Sequence, residues 1–162
     1  MELIPKRSSE SATEMVQVVL PNDANPLGFI LGGTVMHLID IAGAIACHRH
    51  TRSLLVTAAV DDLQFLHSIK VGDLIILKSH VTCVFKTSLE VQVDVFSEET
   101  LTGAQRRTSR AFLTFVAIAR DGARVLVPPL IVDTDEERRV CEEAHQRRAE
   151  RLKRKMDATT PL

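Results

Sequence analysis

The strongest constraint on this chain is an apolar run that carries one carboxylate. Residues 34–47 read TVMHLIDIAGAIAC, and Asp40 is the only acidic residue among them. Apolar side chains recur on every face of a helical projection. The segment from 33 to about 50 is therefore expected to be a helix buried on nearly all sides. Such a helix needs other elements wrapped around it, and the rest of the chain supplies strands. Residues 54–66, 74–85, 88–96 and 108–119 are rich in β-branched and apolar residues. The third of these alternates strictly, with Leu89, Val91, Val93 and Val95 on one face. A shorter strand over 14–20 precedes the helix, across a loop at 21–31 that holds two prolines, two asparagines and a glycine. Turns are expected at 69–73 and at Asp121-Gly122, and Pro128-Pro129 ends the strand region. One apolar helix beside an antiparallel sheet is an α+β architecture, and a sheet curled around a central helix satisfies this order.

After the strands, Thr134 and Glu137 have the spacing of a capping box, which opens a charged helix running to about residue 156. Eight Lys and Arg lie between Arg138 and Lys155, interleaved with acidic residues. That mixture predicts a solvated helix with i,i+4 pairs rather than a nucleic-acid or membrane contact. The chain thus divides into a flexible polar N-terminus (1–13), a single domain (14–131), and a charged helix with its tail (132–162).

Composition excludes several classes. At 162 residues, 45% apolar and 25% charged, the chain can bury one core without disulfides. Its net charge of −1 offers no excess to nucleic acid or an anionic membrane. Cys47, Cys83 and Cys141 are odd in number, far apart and without a C-x-x-C pair. Neither a disulfide framework nor a zinc site is expected, and a reducing compartment, the cytoplasm, fits. The N-terminus lacks the apolar run of a signal peptide. No stretch reaches the ~20 apolar residues of a membrane span. H-E-x-x-H, G-x-S-x-G, G-x-G-x-x-G and a Walker loop are all absent. No metal and no cofactor is expected.

Three features carry chemistry. A lone carboxylate in an apolar helix suffers desolvation unless donors surround it, and such a group suits general-base or nucleophilic work. The competing reading of Asp40 is a structural carboxylate, satisfied by a cap or across an interface. Gly32-Gly33 opens the same helix. Its free amides can hold an oxyanion, or the pair can be an ordinary turn. Asn25, in the preceding loop, can orient a water or a carbonyl through its amide, or serve as a turn residue ahead of Pro26. Gly33 and Asp40 are seven residues apart, roughly 10.5 Å along a helix. One helix cannot set both on one reaction centre. If both act, the donors come from a neighbouring protomer, and Gly43 is a candidate for letting two helices approach. Arg106, Arg107, Arg110 and Lys86 are candidate phosphate contacts or solvated strand ends.

The segment 25–47, NPLGFILGGTVMHLIDIAGAIAC, resembles the signature of hotdog-fold acyl-CoA thioesterases of the cytosolic acyl-CoA hydrolase type, the group of the brain hydrolase and its bacterial relatives. Met36, Asp40, Ala42 and Gly43 fill the helical part of that signature. Residues 56–72, 86–89, 110–117 and 127–130 resemble further family segments, so the likeness spans about residues 14–155. It implies an acyl-CoA thioesterase that releases fatty acid and CoA, with Asp40 as general base or nucleophile. Asn25, Gly33 and Gly32 would position water or the carbonyl. It also implies CoA bound at a subunit interface, active sites shared within a homodimer, and a trimer of dimers. Thr57, Asp61, Lys86, Ser88 and Arg110 are the expected lining of the CoA path. Pro26, Phe29 and Leu31 depart from many relatives, which bears on acyl preference and on the pose of Asn25. A hotdog dehydratase is one alternative, using His37 three residues before Asp40. The other is an acyl-CoA-binding module without turnover.

Overall fold

The computed structural model describes residues 2–159. In chain order its elements are β1 (Lys6–Arg7), β2 (Thr13–Val18), α1 (Gly32–Thr51), β3 (Leu54–Phe65), β4 (Leu74–Val84), β5 (Ser88–Glu98), β6 (Gln105–Ile118), β7 (Leu130–Ile131) and α2 (Asp135–Ala158). Five strands form an antiparallel sheet in the order β2-β4-β5-β6-β3, and β1 pairs with β7 in parallel. This is the hotdog architecture: a curled sheet holding one long helix.

Strand alternation decides which side chains meet α1. Ile75, Leu77 and Val81 of β4, Leu89 to Val95 of β5 in alternation, and Ala111, Leu113, Phe115 and Ala117 of β6 belong to the same buried core as the helix. From α1, Val35, Leu38, Ile39, Ala42, Gly43, Ala46, Cys47 and His50 are buried, a stripe at the 3.6-residue period. Ser79 sits among the apolar side chains because its hydroxyl donates to the carbonyl of Ala42 at 2.7 Å. The helix ends at Arg52, which adopts the left-handed conformation with φ 53°. Within one chain, burial is confined to that stripe. Met36 and His37 are exposed, and Asp40, Ile41 and Ala44 are half-buried.

Gly43 faces the sheet of its own chain. A methyl group there would lie 3.1 Å from Val91 and 3.3 Å from Phe115, so the glycine sets how closely α1 rests on β5 and β6. The expectation that it serves helix approach between protomers is corrected. Both neighbours are fully buried and have no room to yield. Gly43→Ala is therefore expected to destabilise by about 1–3 kcal/mol, overpacking outweighing the gain in helix propensity. A denaturation midpoint equal to or above wild type would show that the core gives way.

The opposite face of the sheet is covered by α2. Its capping box is complete: the Glu137 amide donates to Thr134 Oγ1, and the Thr134 amide donates to the Glu137 carboxylate, each at 3.1 Å. The expectation of a solvated helix holds on only one side. Cys141, Ala144, Arg147 and Arg151 recur at helical spacing and dock on the sheet. Arg147 reaches Glu90 through two hydrogen bonds of 2.8 and 3.0 Å and lies 3.7 Å over the Phe112 ring. Arg151 reaches Asp61 at 2.7 Å.

The absence of a disulfide is a second expectation corrected: Cys83 and Cys141 are bonded across a separation of 58 residues. The cause is a bulge in β4 between Val81 and Cys83. The extra residue turns Cys83 from the helix-facing side, where its odd number would otherwise set it with Val81, toward α2. The cysteine count therefore gives no reading of the compartment.

The N-terminal segment is also folded from Lys6 onward, where fraying was expected. Lys6 donates to the carbonyls of Arg49 and His50 at 3.1 and 2.7 Å, capping the negative end of α1. Ser8 donates to the Val81 carbonyl at 2.6 Å, and Ser11 is fully buried. Met1 and the last three residues of the expected tail lie outside the described residues. No helix among the described residues is long and apolar enough to cross a membrane.

Candidate active site

Asp40 projects from the face of α1 that the sheet leaves open. Thr57 of β3 stands opposite and donates its hydroxyl to Asp40 Oδ1 at 2.7 Å. That bond fixes one carboxylate oxygen. The other has no hydrogen-bond partner among the described residues, so it is available to a water or a substrate. Thr57 is the last residue before a bulge in β3, and its register with Phe115 turns it toward α1. The sequence reading placed Thr57 along the CoA path. Its role as the partner of Asp40 needs the tertiary fold.

Asn25 adopts the turn role and keeps a free donor. Its side-chain oxygen accepts from the backbone amides of Leu27 and Phe29 at 3.0 and 3.2 Å, and the Asn25 backbone N–H donates to the Phe29 carbonyl at 2.8 Å. This local lock fixes the pose of the side chain despite Pro26. Its NH2 makes no hydrogen bond among the described residues. Gly32 and Gly33 form the first turn of α1, whose start has no side-chain cap. Their amides are therefore open, and the space beyond Gly33 is empty to at least 4 Å. Phe65 lies beside Gly32, and a cavity of about 280 Å³ opens there, lined also by Ile30, Val35 and His67. Asp40 does not line that cavity, so within one chain the carboxylate and the helix-end amides remain separate groups.

The other expected CoA contacts divide. Asp61 is held by Arg151 and Arg154 of α2 at 2.7 and 3.8 Å. Arg110 is held by Asp94 at 2.6 Å and lines a cavity of about 420 Å³ beneath α2. Both lie on the sheet face opposite Asp40. In a regular strand, Thr57 and Asp61 would share a face. The bulge between Thr57 and Ala59 puts them on opposite ones. Lys86 and Ser88 sit at the β4–β5 turn. Lys86 is exposed, with no ion pair among the described residues.

The histidines and Cys47 are not assembled with Asp40. His37 is exposed and hydrogen-bonds to nothing described. His50 is buried, bonds the Pro128 carbonyl at 2.8 Å, and is held neutral because burial lowers its pKa. Burial pushes the Cys47 thiol far above its usual range, so it is a packing residue.

The fold and this open carboxylate define a hotdog-fold domain of the thioesterase class. The Thioesterase superfamily model matches residues 27–104. The uncharacterized acyl-CoA thioester hydrolase YkhA of Bacillus subtilis (strain 168) is 38% identical over 146 residues, covering 90% of this chain and 85% of its own length. The chain belongs to the thioesterase superfamily. The human cytosolic acyl coenzyme A thioester hydrolase is 31% identical over 88% of this chain, which spans only 38% of that protein.

Among solved structures, an apo-hexameric acyl-CoA thioesterase superposes with a TM-score of 0.88 at 39% identity, covering 93% of this chain and 97% of its own. The acyl-CoA hydrolase of Staphylococcus aureus, in complex with butyryl coenzyme A, coenzyme A and coenzyme A disulfide, superposes with a TM-score of 0.85 at 31% identity over 94% and 93%. Alanine variants of that enzyme at one asparagine, one aspartate and one threonine also match. Those three positions are 15 and 17 residues apart, the intervals that separate Asn25 from Asp40 and Asp40 from Thr57 here.

Proposed function

We propose that this chain hydrolyses acyl-CoA thioesters to a free fatty acid and CoA. The observation that carries the reading is the Thr57–Asp40 hydrogen bond on the open face of α1. Thr57 holds one carboxylate oxygen still, and the other faces the site. Asp40 takes a proton from water as the water attacks the thioester carbonyl, or attacks that carbonyl itself to form an acyl anhydride that water then cleaves; in either route the C–S bond breaks and CoA leaves as a thiolate that picks up a proton. The Gly33 amide, with Gly32 beside it, stabilises the oxyanion, and the Asn25 NH2 donates to the carbonyl or the water. CoA enters as part of the substrate, and the chemistry asks for no other cofactor. Lys86 and Ser88 are the proposed contacts of the CoA nucleotide. A cytoplasmic location accords with the name of the human relative.

The site is completed by a second copy of the chain. β3 is an edge strand of 12 residues, and Leu54, Val56, Val60 and Phe65 along it are each 44–50% exposed. Met36 adds to this apolar surface from α1, at 46% exposed. A long apolar edge favours pairing with another chain, and a two-fold pairing brings Asp40 of one protomer toward the helix-end amides of the other. Three such dimers assembled together would parallel the hexameric neighbour.

The direct test is a panel of acyl-CoAs from acetyl to palmitoyl, with free thiol as the readout. Release of CoA from at least one member supports the reading. Binding without release across the panel replaces it with a binding module. Sharing of sites has its own test. Asp40→Asn and Asn25→Ala, each inactive alone, are unfolded together and refolded at equal amounts. About a quarter of wild-type activity is expected to return, because half of the dimers are mixed and each mixed dimer has one intact site. No recovery would mean that each site belongs to one chain.

A further inference from the structure

The disulfide that ties α2 to the sheet has a third group beside it. Cys83 is buried on β4 and turned toward α2 by the bulge after Val81. Cys141 and His145 lie four residues apart on α2, so one turn of helix sets both on the same face. The two sulfurs and one imidazole nitrogen are within 4.8 Å of one another. Around a tetrahedral zinc ion, with Zn–S of about 2.3 Å and Zn–N of about 2.0 Å, such ligand atoms stand roughly 3.5–3.8 Å apart. Freed from Cys83, the half-buried Cys141 sulfur can turn about its own Cα–Cβ bond to reach that spacing.

His145 is exposed and makes no hydrogen bond among the described residues. Its ring stands perpendicular to that of Phe85, with centroids 5.1 Å apart. This contact restricts the plane of the imidazole and leaves its nitrogens unpaired. Arg148 lies over the same Phe85 ring at 5.0 Å. Two thiolates cancel the charge of a divalent ion, so this cation does not oppose binding.

The three residues thus have two ways of stapling α2 to β4. Oxidised, they carry the Cys83–Cys141 bond. Reduction proceeds by exchange with a small thiol, which attacks the more accessible Cys141 sulfur while Cys83 leaves as a thiolate and takes a proton. A second small thiol then releases Cys141, and the two small thiols depart as their own disulfide. When a metal binds, both cysteine thiols give their protons to solvent.

We infer that Cys83, Cys141 and His145 form a redox-gated site for a zinc-type divalent ion, closed while the disulfide is intact and open once it is reduced. Water completes the tetrahedron. The metal keeps α2 on the sheet in surroundings where a disulfide does not persist. No residue of the proposed catalytic site takes part, so the inference stands apart from the thioesterase reading.

The test uses the full chain, reduced with a phosphine, freed of reductant without air, and titrated with Co2+ and with Zn2+. One ion per chain is expected, with thiolate-to-cobalt charge-transfer absorption, displacement of Co2+ by Zn2+, and release of two protons. Zinc at a hundredfold excess over its Kd should raise the melting temperature of the reduced chain by about 5–10 °C. The oxidised chain should show neither effect. His145→Ala removes one ligand from an exposed position and keeps the disulfide, so the oxidised variant should melt with wild type. Its reduced form should bind Zn2+ at least about tenfold more weakly, the loss that follows even removal of a group that only orients a ligand. Absence of the charge-transfer band in the reduced wild type overturns the inference, as does equal affinity in His145→Ala. Equal zinc binding by the oxidised chain would place the ion elsewhere and also overturn it. So would any free thiol beyond that of Cys47 in the denatured oxidised chain, since no disulfide would then gate the site.

Discussion

Asp40→Asn is expected to lower kcat for acyl-CoA hydrolysis by at least about a hundredfold, the usual cost of removing a catalytic base. The substitution keeps the shape of the side chain and its carbonyl oxygen, so the hydrogen bond from Thr57 survives. It removes the negative charge and the ability to accept a proton, and both proposed roles of Asp40 need them. Asp40 is half-buried on a helix whose packed stripe lies on the other face, so stability should change little. A variant that folds, dimerises and binds CoA yet turns over slowly is the expected result. Wild-type kcat in the variant would make Asp40 structural, and the dehydratase reading around His37 would then be the one to test. An equal loss in His37→Ala would point the same way.

The second large effect is on stability and lies on the opposite face. Glu90 is 1% exposed and sits in β5 beneath α2, where Arg147, 13% exposed, binds it at 2.8 and 3.0 Å and Thr82 donates to it at 2.8 Å. Burial opposes the charge on Arg147, but the hydrogen bond and charge of Glu90 outweigh it and hold its pKa up. Glu90→Ala leaves that guanidinium buried without its partner, at an expected cost of about 3–5 kcal/mol. For a chain of this size the melting temperature should fall by about 6–20 °C. Replacing both partners, Glu90→Leu with Arg147→Met, should restore much of the loss, because neither charge then has to leave water. A loss below about 1 kcal/mol for Glu90→Ala in thermal or urea unfolding would mean that α2 lifts away and lets water reach Arg147.

The bulges explain most of what sequence periodicity missed. A reading of period two carries side chains along a strand on alternating faces and has no signal for one extra residue. At Ala58 that residue sends Thr57 to α1 and Asp61 to α2, though their numbers place them together. At Thr82 another sends Cys83 to Cys141, a pairing that the spacing of three cysteines does not suggest. The capping box of α2 was visible, but its docked face was not. Arg147 and Arg151 have the composition of a solvated helix, and only Glu90 and Asp61, distant in sequence, hold them against the sheet. Asn25 had two readings, and the structure shows the turn role: its oxygen closes the turn, and its NH2 makes no hydrogen bond among the described residues.

The order of elements, the helix at 32–51, the strictly alternating β5 and the exceptional carboxylate at Asp40 all follow from local pattern. Hydrophobic periodicity, turn residues and desolvation act over a few residues and leave their mark in consecutive letters. Which face each polar group occupies, which pairs become buried, and how far Asp40 lies from the amides of Gly32 and Gly33 depend on strand register, bulges and the docking of α2. Those are set by packing between segments far apart in the chain, where a shift of one residue reverses every side chain beyond it.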